Sequence, residues 1–198
     1  MAKGINTDNF SKVEVSSSDA LRRWLQRNHK QTDSVWLVTF KASAGAKYLS
    51  REDVLDELLC FGWIDGVRRR LDSTRTMQLI SPRKTQHWAK SYKDRASKLI
   101  AEGRMAEPGL QSIKAAKQSG LWTFMDDVDA LIRPPDLVRA FKDWPASAEN
   151  FDAFPASAQR FTLRWIKLAK TDATRNKRIK TTAELAARGE FVPGVRMK

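Results

Sequence analysis

Cysteine is nearly absent from this chain: Cys60 is the one thiol in 198 residues. That excludes an internal disulfide framework and agrees with a reducing compartment. Cys60 lies in the apolar run Leu58-Leu59-Cys60-Phe61 with no histidine nearby, so it reads as a packed thiol rather than a nucleophile. Histidine is scarce as well. Neither His29 nor His87 stands in a zinc-ligand spacing, so no structural metal is expected. The glycines form neither a Walker-type phosphate loop nor a dinucleotide fingerprint, and no cofactor is expected. No apolar run approaches the roughly 18 residues of a membrane span. Met1 to Phe10 is polar and lacks the apolar centre of an export leader, so a cytoplasmic location is expected. Nothing local suggests a Ser-His-Asp arrangement. Enzymatic options narrow to a carboxylate, Lys or Tyr base beside arginine clamps, and no catalytic residue can be assigned.

What the chain does have is positive charge and tryptophan. Apolar residues make up 41% of it, seven of them Trp, which is enough for a sizeable core. The net charge of +13 is concentrated. Residues 66–104 hold 11 Lys/Arg against 3 Asp/Glu, and residues 159–198 repeat those counts. The rest of the chain is slightly acidic. Two basic segments of this kind fit an anionic partner, either nucleic acid or a phosphorylated small molecule; the bland alternative is two solvated lysine-rich helices.

The hydrophobic pattern predicts an α+β fold: a small mixed or antiparallel sheet with helices on one face, followed by a helical C-terminal part. Strands are expected near 12–15, 34–41, 63–71 and 75–81. Val35 to Phe40, apolar on both faces, reads as a buried central strand. Helices over 18–29 and 50–60 should cover one face, the second opened by a capping box with Asp in its third place (Ser50-Arg51-Glu52-Asp53). Further helices are expected over about 88–102, 108–119, 157–170 and 172–188, with a short one from Pro134-Pro135. In the helix from Ser157, Phe161, Trp165, Leu168 and Ala169 share one face, read as core, while Arg160, Arg164 and Lys167 share a surface face. The proline- and aspartate-rich stretch 122–155 reads as a hinge. It divides an α/β front part (1–125) from a helical back part (126–198), the two expected to pack as one unit.

Three clusters are candidates for function. Asp65 lies in Gly62-Trp63-Ile64-Asp65-Gly66 with Arg68, Arg69 and Arg70 just after it, placing a carboxylate among arginines. It suits holding an arginine better than acting as a base, and an Asp-Gly turn is the plainer reading. Arg83 and Lys84 follow Pro82 at a stiff corner before the helix expected from Trp88, a setting suited to phosphate, with Trp88 either stacking on a base or packing. Arg175 and Arg178 stand three apart on one helix, preceded by Lys170, and can grip an anion or bridge to aspartates such as Asp126, Asp127 or Asp129. Trp63, Asp65, Arg68, Arg75, Arg83, Lys84 and Trp88 would line one side of a binding site, and Lys170, Arg175 and Arg178 the other.

Several separated motifs in order carry a family resemblance. They are Val35-Trp36-Leu37, Leu59-Cys60-Phe61-Gly62-Trp63-Ile64-Asp65-Gly66, Ser81-Pro82-Arg83-Lys84 with Trp88, and Glu102-Gly103-Arg104-Met105. Gly109-Leu110, Ala116-Lys117, Trp122, Ala169-Lys170, Thr174-Arg175 and Arg178-Ile179 follow. From about Val13 to Glu190 the chain resembles the YdeI/OmpD-associated family, also labelled bacteriocin-protection proteins. The resemblance implies a bacterial protein without an established biochemical activity. The family name implies protection against bacteriocins or cationic peptides and association with an outer-membrane porin. The chain departs from the family pattern at Gln86, Ala89 and Tyr92 and at Thr171-Asp172-Ala173. Three readings follow: binding of an anionic partner, an enzyme in which Asp65 and the arginines act on a small anionic metabolite, and a protection factor that works through a protein partner.

Overall fold

The computed structural model describes residues 9–195. The polar residues 1–8, on which the expected lack of an export leader rests, lie outside the described ones. The fold is α+β with a small mixed sheet. Two compact units divide the chain between Thr123 and Phe124.

The first unit runs β1 (Lys12–Glu14), α1 (Ser18–Asn28), β2 (Val35–Phe40), a short 3-10 turn (Ala42–Lys47), α2 (Arg51–Cys60), β3 (Trp63–Arg70), β4 (Arg75–Pro82), α3 (Lys90–Ala101) and α4 (Glu107–Gln118). Local chemistry sets the helix starts. The Ser17 hydroxyl accepts from the Ala20 amide at 3.2 Å. Ser50 accepts from the Asp53 amide at 3.0 Å and donates its own proton to the Asp53 carboxylate at 2.6 Å, so each end of the box satisfies the other. The sheet order is β1-β2-β4-β3, with β1 parallel to β2 and the other pairings antiparallel. Residues Val35 to Thr39 of β2 are all buried, as a strand with neighbours on both edges and cover on its face should be. Leu37 and Ile80 from the sheet share one core with Leu21 and Leu25 of α1, Leu58 and Leu59 of α2, Leu99 of α3 and Ile113 of α4. Fully burying each such side chain is worth roughly 1.5–3 kcal/mol.

Gly62 turns the chain from α2 into β3. Its φ of +70° suits glycine, and a Cβ there would come within 3.0 Å of both the Pro108 carbonyl and the Ser112 side chain. The hairpin β3–β4 is irregular, its register shifting between Asp65 and Arg68.

The second unit is helical: α5 (Asp126–Asp129), α6 (Pro135–Lys142), α7 (Ser147–Ala153), α8 (Ala156–Lys167) and α9 (Asp172–Ala187). The stretch read as a hinge therefore contains three short helices. They contribute Val128, Leu137, Phe141 and Phe151 to a core shared with Leu163, Ile166, Ile179 and Ala183. The inward face of α8 differs from the sequence reading. Ala158, Thr162, Leu163 and Ile166 are buried, whereas Phe161 and Leu168 are 39% and 40% exposed. The buried stripe is rotated by about one position from the aromatic one. Thr162 can face inward because its hydroxyl donates to the Ala158 carbonyl at 2.9 Å, which leaves a small and satisfied side chain at the contact.

Candidate functional site

The bulge in β3 creates a polar centre. Residues three apart on a regular strand point to opposite faces. The extra residue in the bulge changes that, and Asp65 and Arg68 both reach the same partner, the Gln78 side chain on β4. The Gln78 amide donates to Asp65 at 3.0 Å, and Arg68 donates to the Gln78 carbonyl oxygen at 2.8 Å. The other Asp65 oxygen accepts from the Tyr92 hydroxyl of α3 at 2.6 Å, and Arg51 at the start of α2 stands 3.8 Å from the carboxylate. Partial desolvation, and then the like charge of Arg51, lower the Arg68 guanidinium from its ordinary value. Burial, followed by the bond to Asp65, pushes the Tyr92 phenol up to about 12. Tyr92 is therefore a fixed donor, and Asp65 is a holding group within the sheet.

Tyr92 links this centre to Arg83. The Arg83 guanidinium lies 4.2 Å from the Trp88 ring centroid and 5.2 Å from that of Tyr92. Burial lowers its pKa, with Tyr92 and Asp65 pulling the other way. The loop is pinned at both ends: the Arg83 amide donates to Gly62 at 2.9 Å and the Trp88 amide to Leu121 at 3.1 Å. One guanidinium nitrogen makes long contacts of 3.4 Å to the carbonyls of Gln86 and His87. Arg83 Nε is buried with no hydrogen-bond partner among the described residues, and so are Trp88 Nε1 and, in the core, Trp63 Nε1. Buried donors of this kind are uncommon in folded proteins and call for an explanation. Arg83 and Trp88 line a pocket of about 250 Å³, with Lys84, Thr85 and Gln86 on the loop and Ser112, Ala115, Ala116, Ser119 and Leu121 opposite. Among the described residues no carboxylate lines it.

The other sequence candidates have different surroundings. Trp63 is fully buried in the core, edge-on to Trp24 at 5.5 Å. Trp88 is 1% exposed and packs on Trp122 at 5.0 Å, so neither ring has an open face on which a base can stack. Helix α3 begins at Lys90, because Ala89 is still extended, so Arg83 and Lys84 stand on a loop rather than at a helix start. Lys84 is exposed at the pocket rim. Arg75 sits at the hairpin turn, bound to Asp72 at 2.7 Å and Glu14 at 2.6 Å. Arg69 and Arg70 lie exposed on β3, an edge of the sheet, where charge also discourages strand-to-strand aggregation.

In the second unit Lys170 is exposed, Arg178 donates to the Trp165 carbonyl, and Arg175 forms a two-point pair with Asp136 at 2.6 and 3.0 Å. That pair, more than the partial burial opposing it, holds the Asp136 carboxyl below its ordinary value. Its stabilisation, about 1 kcal/mol, is whole above the unfolded-state pKa near 3.9. It is lost as pH falls through the depressed folded value. Urea titrations between neutral and acid pH should show Asp136→Asn less stable at neutrality, with the gap to wild type closing in acid. A gap independent of pH would mean that the pair contributes through packing alone.

Sequence reasoning had marked Asp65, Arg68, Arg83, Lys84 and Trp88. It missed Gln78, Tyr92, Ser112 and Ser119. Tyr92 had stood out only as a departure from the family pattern, and the other three carry no local signal. Among the described residues no helix is long and apolar enough to cross a membrane, and no group of three or more His, Cys, Asp or Glu could hold a metal. Residues 13–112 match a family model described as a domain of unknown function, DUF8412, and residues 130–189 match one described as bacteriocin-protection, YdeI or OmpD-associated. No curated protein and no solved structure matches the chain.

Proposed function

From the premise that this chain belongs to the DUF8412 family and carries a YdeI/OmpD-associated segment, we propose that its first unit binds a small oxyanionic ligand in the pocket beside Arg83. The observation that carries this reading is the buried Arg83 Nε, without an acceptor among the described residues, in a pocket that these residues line with donors and apolar groups and with no carboxylate. The Arg83 guanidinium rests against the Trp88 and Tyr92 rings, and the edge of an arginine suits the two oxygens of a carboxylate or phosphate. Tyr92, bound to Asp65, keeps the ring beneath Arg83 in place. Nucleic acid is the weaker reading, because Trp63 and Trp88 are buried and offer no open face to a base.

A thermal-shift panel of small carboxylates and phosphates, run beside anisotropy titrations of single-stranded RNA and duplex DNA at two salt concentrations, tests the proposal. A ligand at about 100 times its Kd should stabilise the protein by about 2.7 kcal/mol, and Arg83→Met should abolish that gain. Equal gains in wild type and variant, or none with any anion, would refute it. Tight, salt-sensitive nucleic-acid binding that is indifferent to Arg83→Met would move the function to the open basic surface.

A further inference from the structure

The walls around Arg83 narrow the ligand class. Within the oxyanion reading above, on which this inference rests, we infer that the head group is a carboxylate on a compact apolar body rather than a phosphate. Charge is the first argument. Among the described residues two cations line the pocket, Arg83, which is partly buried, and Lys84, which is exposed at the rim. Asp65 stands behind Arg83 through Tyr92 and already offsets part of its field. A monoanion neutralises what remains, whereas a phosphate dianion would leave a net negative charge partly desolvated, which is costly.

Donor geometry is the second argument. Of the three buried side-chain N–H groups without an acceptor among the described residues, Arg83 Nε and Trp88 Nε1 belong to residues that line this pocket, and the two oxygens of a carboxylate would serve both. The Ser119 hydroxyl already donates to the Ala115 carbonyl at 2.8 Å, so it adds little toward a third or fourth oxygen. Shape is the third. Ala115, Ala116, Leu121 and the Trp88 ring give the pocket apolar walls. Its volume is about 250 Å³. That is room for a small aromatic or branched acid.

Four probes decide the matter: benzoate, 3-methylbutanoate, inorganic phosphate and phenyl phosphate, titrated by calorimetry and by heteronuclear NMR of the tryptophan indole N–H signals. Benzoate should bind, should shift the Trp88 indole signal (identified from its loss in Trp88→Phe), and should bind roughly tenfold more tightly than either phosphate. Trp88→Phe keeps the ring but removes the donor, and should weaken benzoate roughly tenfold. It serves as the decisive variant where Arg83→Met fails to fold. Tighter binding of phenyl phosphate than of benzoate, lost on Arg83→Met, would overturn the carboxylate assignment and leave the oxyanion pocket standing. Benzoate binding that neither shifts the Trp88 signal nor weakens in Trp88→Phe would also overturn it. No response to any of the four probes would overturn both.

Discussion

Glu57→Ala should lower the stability of the first unit by about 3 kcal/mol, near the bottom of the range for breaking a buried ion pair. Glu57 is 3% exposed, in the inward face of α2. Arg22 of α1 donates to one of its oxygens at 2.9 Å, and Arg104, just after α3, donates to the other at 3.1 Å. Arg22 also donates to the Arg104 carbonyl at 2.8 Å, which closes the link between α1 and the α3–α4 connection. Arg104 and Arg95 both reach the neighbouring Asp56. Removing Glu57 strands two arginines against the core, but both are partly exposed and can turn toward water, which limits the loss. The same change should ease ionisation of Cys60. Burial raises that thiol's pKa first, and the charge of Glu57 raises it further. Urea unfolding and thiol titration read the two effects. A stability loss below about 1 kcal/mol would place this network with ordinary surface pairs.

Gly109→Ala should cost about 3 kcal/mol through overpacking, although alanine is the better helix former by about 1 kcal/mol. The sign is therefore diagnostic. Gly109 lies in the first turn of α4 with ordinary helical backbone, so its value is space. A Cβ there would stand 2.5 Å from the Cys60 carbonyl, 2.5 Å from Met105 Sδ and 2.8 Å from the Leu59 carbonyl. Met105 can move; the two carbonyls belong to the end of α2 and cannot move without disturbing it. The Ala106 amide donates to that same Cys60 carbonyl at 3.2 Å, so the two helices are joined where they touch. Because α4 carries Ser112, Ala115, Ala116 and Ser119, the substitution should also weaken benzoate binding by displacing the pocket wall. Denaturation and calorimetry on this variant test both claims, and a neutral or stabilising result would show that the contact between α2 and α4 is loose.

The sequence by itself determined what depends on neighbours along the chain. Serine caps, the Ser50/Asp53 box, the all-apolar run of β2 and the stop at Pro82 are local events, and their elements appear where periodicity and capping place them. The corner Ser81-Pro82-Arg83-Lys84 with Trp88 was visible for the same reason, since a proline beside clustered charge is a local signal. Tertiary structure alone decided what depends on segments meeting. β1 pairs in parallel with β2, and β4 inserts between β2 and β3, because strand order reflects competing long-range pairings that no single strand encodes. The inward face of α8 was decided by which side chains its neighbours could accept, so small Ala158 and Thr162 turned inward and Phe161 did not. Arg175 met Asp136 rather than the aspartates of α5. The candidate site follows the same rule: a bulge turned Arg68 toward Gln78, Tyr92 of α3 reached Asp65, and a glycine in α4 let that helix pack against the end of α2. Each of these is a contact between residues distant in sequence, where identity says only what a side chain can bond and packing selects the partner it has.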